Sequence, residues 1–191
     1  MRSLRLLLLL SLKLVLGMVA TASPPRSVLL TGATEGLGLA AAHQLVEAGH
    51  TVLVHGRNAA KVQRVVDSLE ASGGKAVGFV CDLSSMAEVR CLGAEVSAAW
   101  PALDGLLNNA GSFDGDYTGK RVVTDEGNEY TLAVNVLAPF LLTSLLLPSL
   151  RASTSPPARV VISSSVSMGA AGTRTRARTR TLTRTRTRTR T

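Results

Sequence analysis

The chain is poor in aromatic residues. Phe, Trp and Tyr together make up 3% of its 191 residues, whereas hydrophobic residues of all kinds make up 46%. An apolar core must therefore be built from Leu, Val and Ala, which suits helices packed on a parallel sheet better than an aromatic-rich β-sandwich. The length allows one domain with a sizeable core and excludes two full domains.

Cysteine is also scarce, since the chain contains only Cys81 and Cys91. Two cysteines are too few for a disulfide framework, and their spacing matches no metal-site motif. We therefore predict no metal site. Because free cysteine is among the most buried residue types, we expect both residues to be small buried hydrophobic side chains.

Acidic residues are outnumbered, because 13 Asp and Glu oppose 21 Lys and Arg, for a net charge of +8. The excess is local: residues 173–191, in which Thr and Arg alternate, hold eight arginines, and the rest of the chain has 13 basic and 13 acidic residues. This distribution excludes a broadly basic globular domain. Residues 169–191 are predicted to be a disordered low-complexity tail. The tail has no aromatic side chains to stack on bases, so no specific nucleic-acid partner is expected.

The first 23 residues are strongly apolar. Arg2 and Arg5 precede an apolar stretch that ends near Ala20-Thr21-Ala22, a pattern typical of a secretory signal. The stretch is also nearly long enough to span a bilayer, for which about 20 residues are needed. A cleaved signal and a retained membrane anchor therefore both remain open. Either predicts the secretory pathway or the endoplasmic reticulum membrane, whereas a monotopic association would leave the domain in the cytosol.

From residue 24 to residue 168, short β-branched runs alternate with longer amphipathic segments. The pattern predicts strands at 27–31, 51–55, 75–81, a segment ending at Leu107, and 159–163, and helices near 37–48, 59–71, 85–99 and 129–150. Strands that alternate with helices imply right-handed βαβ units and a parallel sheet. The predicted fold class is therefore α/β, a Rossmann-type doubly wound parallel sheet that is incomplete, with about five strands.

A glycine-rich motif, Thr31-Gly32-Ala33-Thr34-Glu35-Gly36-Leu37-Gly38, directly follows the first predicted strand. Glycine permits a tight turn and a close approach of the backbone to a pyrophosphate, and the N–H groups of the next helix point at the anion. Glycines also form ordinary turns, but here the strand–turn–helix context that nucleotide binding requires is predicted. The motif predicts a dinucleotide site that includes Gly32, Thr34, Glu35, Gly36, Leu37 and Gly38.

The spacing Thr-Gly-x-x-x-Gly-x-Gly resembles that of the short-chain dehydrogenase/reductase family. Four later motifs follow in the family's order: Cys81-Asp82-Leu83, Asn108-Asn109-Ala110-Gly111, Asn135 within Val134–Phe140, and Ser163-Ser164-Ser165. The resemblance covers residues 27–168.

This resemblance implies roles for the matching residues. Asp82 would contact the adenine ring, and Asn109, Ala110 and Gly111 would line the cofactor channel. Asn135 would hold a water of the proton relay, and Ser165 would be the catalytic serine. Two simpler interpretations stay open, in which Asp82 is only a helix cap and Asn135 only a buried amide that satisfies backbone groups.

The residues at the end of the second predicted strand, His55-Gly56-Arg57-Asn58, indicate whether the cofactor is NAD or NADP. An acidic residue there would accept hydrogen bonds from the ribose 2′-hydroxyl and favour NAD, but none is present. Arg57 lies 19 residues beyond Gly38, and a guanidinium can bind a 2′-phosphate in bidentate fashion. We therefore predict NADP (NADPH), the alternative being that Arg57 is a solvated surface residue.

Within the family, the hydrophobic N-terminus and the run Thr124–Asn135 are most similar to the retinol-dehydrogenase-like branch. That similarity implies an oxidoreductase that acts on a small lipophilic alcohol or carbonyl and associates with a membrane.

One departure from the family is large. The family's chemistry needs a Tyr after the catalytic serine and a Lys four residues after that Tyr. Residues 166–191, which follow Ser165, contain neither Tyr nor Lys. Tyr117 and Tyr130 lie upstream and lack such a Lys. We expect a cofactor-binding half joined to an unrelated tail, inactive as a dehydrogenase. The alternative is a non-catalytic dinucleotide-binding or interaction protein.

Overall fold

The computed structural model describes residues 24–112, 121–153 and 158–162. The predicted signal or anchor at 1–23, the Thr/Arg tail and Ser165 lie outside these residues.

Strands and helices alternate along the described chain. The strands are β1 (Ser27–Leu30), β2 (Thr51–Gly56), β3 (Lys75–Val80), β4 (Gly105–Asn108) and β5 (Arg159–Ile162). The helices are α1 (Gly36–Glu47), α2 (Ala59–Ala71), α3 (Met86–Ala99) and α4 (Tyr130–Arg151).

The five strands form one parallel sheet in the order β3-β2-β1-β4-β5. From β1 the chain winds outward to β3 and then returns to place β4 on the other side of β1. In open parallel sheets this reversal leaves a crevice at the carboxyl ends of the strands, which is where ligands bind. The predicted Rossmann-type sheet of five strands is confirmed.

The helices cover both faces of the sheet with aliphatic side chains. On one face α1 and α2 pack on β1 and β2 through residues such as Val46, Val62 and Leu69. On the other face α3 and α4 pack through residues such as Val89 and Leu142. Burial on both faces explains why the central strands β1 and β2 are almost continuous apolar runs rather than alternating ones.

The two cysteines have different environments. Cys81 follows β3 and is buried, as predicted, and burial raises the pKa of its thiol to about 12. Cys91 is exposed, so the prediction of a second buried cysteine is wrong. The reason is the period of α3, whose buried residues are Val89, Leu92, Gly93 and Val96, while Cys91 faces solvent.

Helix α4 is long and apolar enough to cross a membrane by length and composition. Its Ala138, Leu142 and Leu146 are fully buried in the core, so in this fold it serves as a core helix. It contains a π-helical segment, Ala133–Leu137, in which the Ala138 N–H donates to the Ala133 carbonyl. Pro139 follows directly and has no N–H to donate, which removes one α-helical hydrogen bond. The predicted helix over 129–150 is thus present but not uniformly α-helical.

We predict that Leu142→Ala lowers the free energy of unfolding by about 2 to 5 kcal/mol, because it opens a cavity between α3 and α4. Phe140→Ala on the same helix is the control, since Phe140 is 75% exposed and its loss leaves no cavity. Urea unfolding can be followed by the fluorescence of the single tryptophan, Trp100, whose ring contacts Phe79. Equal effects of the two substitutions would contradict the assigned packing of α4.

Candidate cofactor site

A cleft of about 430 Å³ lies at the carboxyl ends of β1, β2, β3 and β4. All eleven residues predicted to bind the cofactor line this cleft: Gly32, Thr34, Glu35, Gly36, Leu37, Gly38, Arg57, Asp82, Asn109, Ala110 and Gly111. These residues come from four separate segments, each of which follows a strand, and the first of them extends into the first turn of α1. The structure therefore brings the predicted cofactor residues together at the crevice of the sheet.

The glycine turn between β1 and α1 contacts the end of β4 closely. Gly32 has φ +64°, and a Cβ there would lie 2.8 Å from the Cα of Ala110. A Cβ on Gly38 would lie 2.1 Å from the carbonyl oxygen of Gly32. Any side chain at either position would push the turn away from β4, so the motif requires glycine here for steric reasons.

Thr31 and Asn109 join this turn to β4 by reciprocal hydrogen bonds. The Thr31 Oγ1 accepts the backbone N–H groups of Asn109 and Ala110, both at 3.0 Å. The Asn109 Nδ2 donates to the carbonyls of Thr31 at 3.0 Å and Gly32 at 3.2 Å. Thr31 is almost fully buried and was not predicted as a site residue, although it opens the glycine motif.

The N-terminus of α1 differs from those of the other helices. Its N-cap, Glu35, makes no side-chain capping bond, and its first turn carries no acidic residue. The other three described helices have side-chain acceptors at their N-termini: Asn58 for α2, Ser85 and Glu126 for α3, and Glu129 for α4. The first residues of α1, Gly36, Leu37 and Gly38, line the cleft, and their N–H groups have no side-chain acceptor among the described residues, which fits the pyrophosphate of a dinucleotide.

His55 connects the ends of three strands. Its Nε2 lies 3.1 Å from the carbonyl oxygen of Cys81, and its Nδ1 lies 3.4 Å from the backbone nitrogen of Gly32. These contacts fit a neutral imidazole that donates from Nε2 and accepts at Nδ1. Burial lowers the pKa of His55 to about 4. The sequence pattern does not predict this role for His55, because nothing in it indicates a buried histidine.

Asp82 lies in the loop between β3 and α3. Its Oδ1 accepts the N–H of Ser84 at 2.8 Å, which shapes the loop. The N-cap of α3 is Ser85, whose Oγ accepts the N–H of Glu88 at 3.3 Å. Asp82 is thus not the helix cap. Its predicted contact with adenine stays a prediction.

Asn135 lies in the π-helical segment of α4 and not among the residues that line the cleft. Its amide pairs with the backbone of Ser112: Oδ1 accepts the N–H at 2.8 Å, and Nδ2 donates to the carbonyl at 2.9 Å. Ser112 does line the cleft, so Asn135 supports the wall of the cleft through it. The predicted role in a proton relay stays a prediction, and Ser165 lies outside the described residues.

Charged side chains gather where the cleft meets the end of β2. The Nη1 of Arg57 donates to the hydroxyl oxygen of Tyr130 at 3.1 Å. Lys61 forms a salt bridge with Glu35, and its hydrogen bond and positive charge lower the pKa of that carboxyl. Tyr130 does not match the family's catalytic tyrosine, because Val134 and not Lys follows four residues later. No sequence pattern links it to Arg57, which lies 73 residues away.

Three features define a dinucleotide-binding α/β protein: the cleft where the strand order reverses, the glycine turn, and the N-terminal amides of α1 that have no side-chain acceptor. The family model described as short chain dehydrogenase matches residues 26–176. The chain belongs to this family.

Two curated relatives from Mus musculus carry specific names. The chain is 42% identical over 132 residues to polyprenol dehydrogenase, an alignment that covers 68% of this chain and 38% of that protein. It is 36% identical over 152 residues to retinol dehydrogenase 14, covering 73% of this chain and 44% of that protein. These similarities support the retinol-dehydrogenase-like branch. The chain spans less than half the length of both relatives.

Among solved structures, the chain resembles the Pseudomonas aeruginosa RhlG/NADP active-site complex. The TM-score is 0.64 and the identity 35%, with coverage of 73% of this chain and 54% of that one. A related protein thus holds NADP in the same fold, in agreement with the cofactor predicted from Arg57.

We predict that His55→Leu removes part of the dependence of stability on pH. The folded-state pKa of about 4 lies below the ordinary value of 6.5, so the unfolded chain takes up the proton first as the pH falls. The wild type should therefore lose stability from pH 6.5 down to pH 4, by roughly 3 kcal/mol from this group alone.

The measurement is the free energy of unfolding in urea at both ends of this pH range. His55→Leu should be less stable than the wild type at neutral pH, since it leaves the Cys81 carbonyl without its donor. The difference in stability between the two proteins should shrink on acidification, because only the wild type contains the titrating His55. The carboxylates are common to both proteins, so their effects cancel in this difference. A constant difference across the range would show that His55 does not titrate as described.

Proposed function

We propose that the chain binds NADP(H) in the cleft, with the pyrophosphate at the N-terminus of α1 and the adenosine beside the end of β2. The observation that carries this proposal is the set of α1 amides that face the cleft without a side-chain acceptor. A pyrophosphate would accept from these N–H groups and interact favourably with the helix dipole. Arg57, at the rim of the same cleft, would bind the 2′-phosphate.

The remaining residues of the cleft would orient the cofactor. Asp82 would accept a hydrogen bond from the adenine. Asn109, Ala110 and Gly111 would line the channel toward the nicotinamide, held in place by the hydrogen bonds to Thr31. When bound, the nicotinamide would donate a hydride to a carbonyl in its reduced form, or accept one from an alcohol in its oxidised form.

For a form of this enzyme that also carries the family's Tyr-x-x-x-Lys pair, the substrate we propose is a small lipophilic alcohol or its carbonyl. The support is the similarity to proteins named polyprenol dehydrogenase and retinol dehydrogenase 14. Ser165 would bind the substrate oxygen, and Asn135 would support the proton relay. Residues 1–23 would associate the protein with the endoplasmic reticulum membrane or direct it to the secretory pathway.

We further propose that this 191-residue chain binds the cofactor without turning over a substrate. Hydride transfer to a carbonyl needs a matched proton transfer, and these 191 residues do not contain the family's Tyr-x-x-x-Lys pair. A non-catalytic dinucleotide-binding or interaction protein is the alternative function, and the same missing pair favours it.

We predict that Arg57→Ala weakens NADP⁺ binding by roughly ten- to a hundredfold and leaves NAD⁺ binding unchanged, because only NADP⁺ carries the 2′-phosphate. Isothermal titration calorimetry of the full chain in detergent micelles gives both affinities. Arg64→Ala is the control, since Arg64 is exposed on α2 and does not line the cleft. Equal losses for both dinucleotides, or no loss for NADP⁺, would rule out the assigned role of Arg57.

We also predict no turnover by the full chain. Oxidation of NADPH should proceed at the rate of the protein-free mixture with retinal, a steroid ketone and small carbonyls, because the sequence lacks the Tyr-x-x-x-Lys pair that would protonate the product. The assay follows the NADPH absorbance. Saturable turnover with any of these carbonyls would contradict this prediction and leave the binding proposal intact.

A further inference from the structure

Four polar side chains surround the point where the cleft meets the end of β2. Arg57 and Tyr130 form one hydrogen-bonded pair, and Lys61 and Glu35 form the other. All except Lys61 line the cleft itself. The cluster thus contains two cations, one anion and one phenol, and each pair joins two separate segments of the chain.

Tyr130 is held more firmly than Arg57. Its ring packs against the core cluster that contains α3 and α4, and its backbone N–H donates to the carbonyl of Val122 at 2.9 Å. The loop before it is tied to α3, because the Glu126 carboxylate accepts the N–H groups of Met86 at 3.0 Å and Ala87 at 3.1 Å. The Tyr130 hydroxyl is therefore a fixed acceptor, whereas Arg57 is an exposed side chain on a flexible stem.

We propose that Tyr130 is a positioning residue that sets the preference for 2′-phosphorylated dinucleotides, by holding the Arg57 guanidinium over the ribose end of the cleft. This inference rests on the proposed binding of NADP(H). A guanidinium has five N–H donors, so one bond to the phenol leaves the others for a phosphate. Because the Arg57 side chain is already held before the ligand binds, it loses less conformational entropy on binding.

Glu35 acts in the opposite direction. Its carboxylate lies on the glycine turn, pairs with Lys61 and thereby neutralises one of the two cations near the 2′-phosphate position. An anion at this rim also repels a phosphate directly. The preference for NADP(H) is therefore set by Tyr130, which strengthens phosphate binding through Arg57, and by Glu35, which weakens it.

The test compares the wild type with Tyr130→Phe and Glu35→Gln as full chains. Calorimetry gives the affinities for NADP⁺ and NAD⁺ at low and at moderate salt. Tyr130→Phe removes one hydroxyl and keeps the packed ring, so NADP⁺ affinity should fall roughly three- to tenfold while NAD⁺ affinity stays constant. Glu35→Gln should raise NADP⁺ affinity about two- to fivefold, and this gain should shrink as salt screens Lys61.

Glu47→Gln is the matched control for charge, because Glu47 is an exposed carboxylate at the far end of α1. It changes the net charge by the same amount and should leave the ratio of the two affinities unchanged. Thermal unfolding of each variant checks that the fold is retained.

Three results would overturn the inference. If Tyr130→Phe weakened both dinucleotides by the same factor, the residue would have a structural role only. Unchanged NADP⁺ affinity in Tyr130→Phe would show that Arg57 needs no positioning. A wild type that bound neither dinucleotide would refute the proposed function and this inference with it, and that outcome is distinct from the first two.

Discussion

The reciprocal hydrogen bonding between Thr31 and Asn109 is the constraint on which the site depends. One buried hydroxyl accepts two backbone N–H groups from the end of β4, and one amide returns two bonds to the glycine turn. A threonine hydroxyl also donates once, here to the Leu107 carbonyl at 3.3 Å, so its hydrogen-bonding capacity is filled. This arrangement fixes the glycine turn against the residues that follow β4, at the wall of the crevice.

The other strand ends are arranged around this contact. His55 joins the ends of β2 and β3 to the glycine turn, and Asn135 holds Ser112 at the opposite wall. These polar side chains thus shape the walls of the cleft. The amides at the start of α1 are left for an anion, which is the physical basis for assigning the site to a dinucleotide.

Much of this could be predicted from the sequence, because it depends on local patterns. Apolar runs and helical periodicity identified five strands and four helices within a few residues, and the glycine motif identified the turn. All eleven predicted cofactor residues line one cleft, since strand ends in a parallel sheet meet at one edge.

The features that sequence reasoning missed depend on contacts between distant segments. His55 bonds to Cys81, Arg57 to Tyr130, and Glu126 to the start of α3, across 26, 73 and 39 or 40 residues. The π-helical segment, Ala133–Leu137, is not revealed by helical periodicity. Cys91 was assigned to the core from residue type, but its position on α3 exposes it.

Hydrogen–deuterium exchange of the full chain, with and without NADPH, tests the central claim most directly, because it locates bound cofactor on the backbone. We expect slower exchange at the glycine turn and first turn of α1, around Arg57, and at Asn109–Gly111. Exchange in helices α2, α3 and α4 should change little. Protection confined to other regions, or no protection at saturating NADPH, would contradict the assignment of this crevice as the cofactor site.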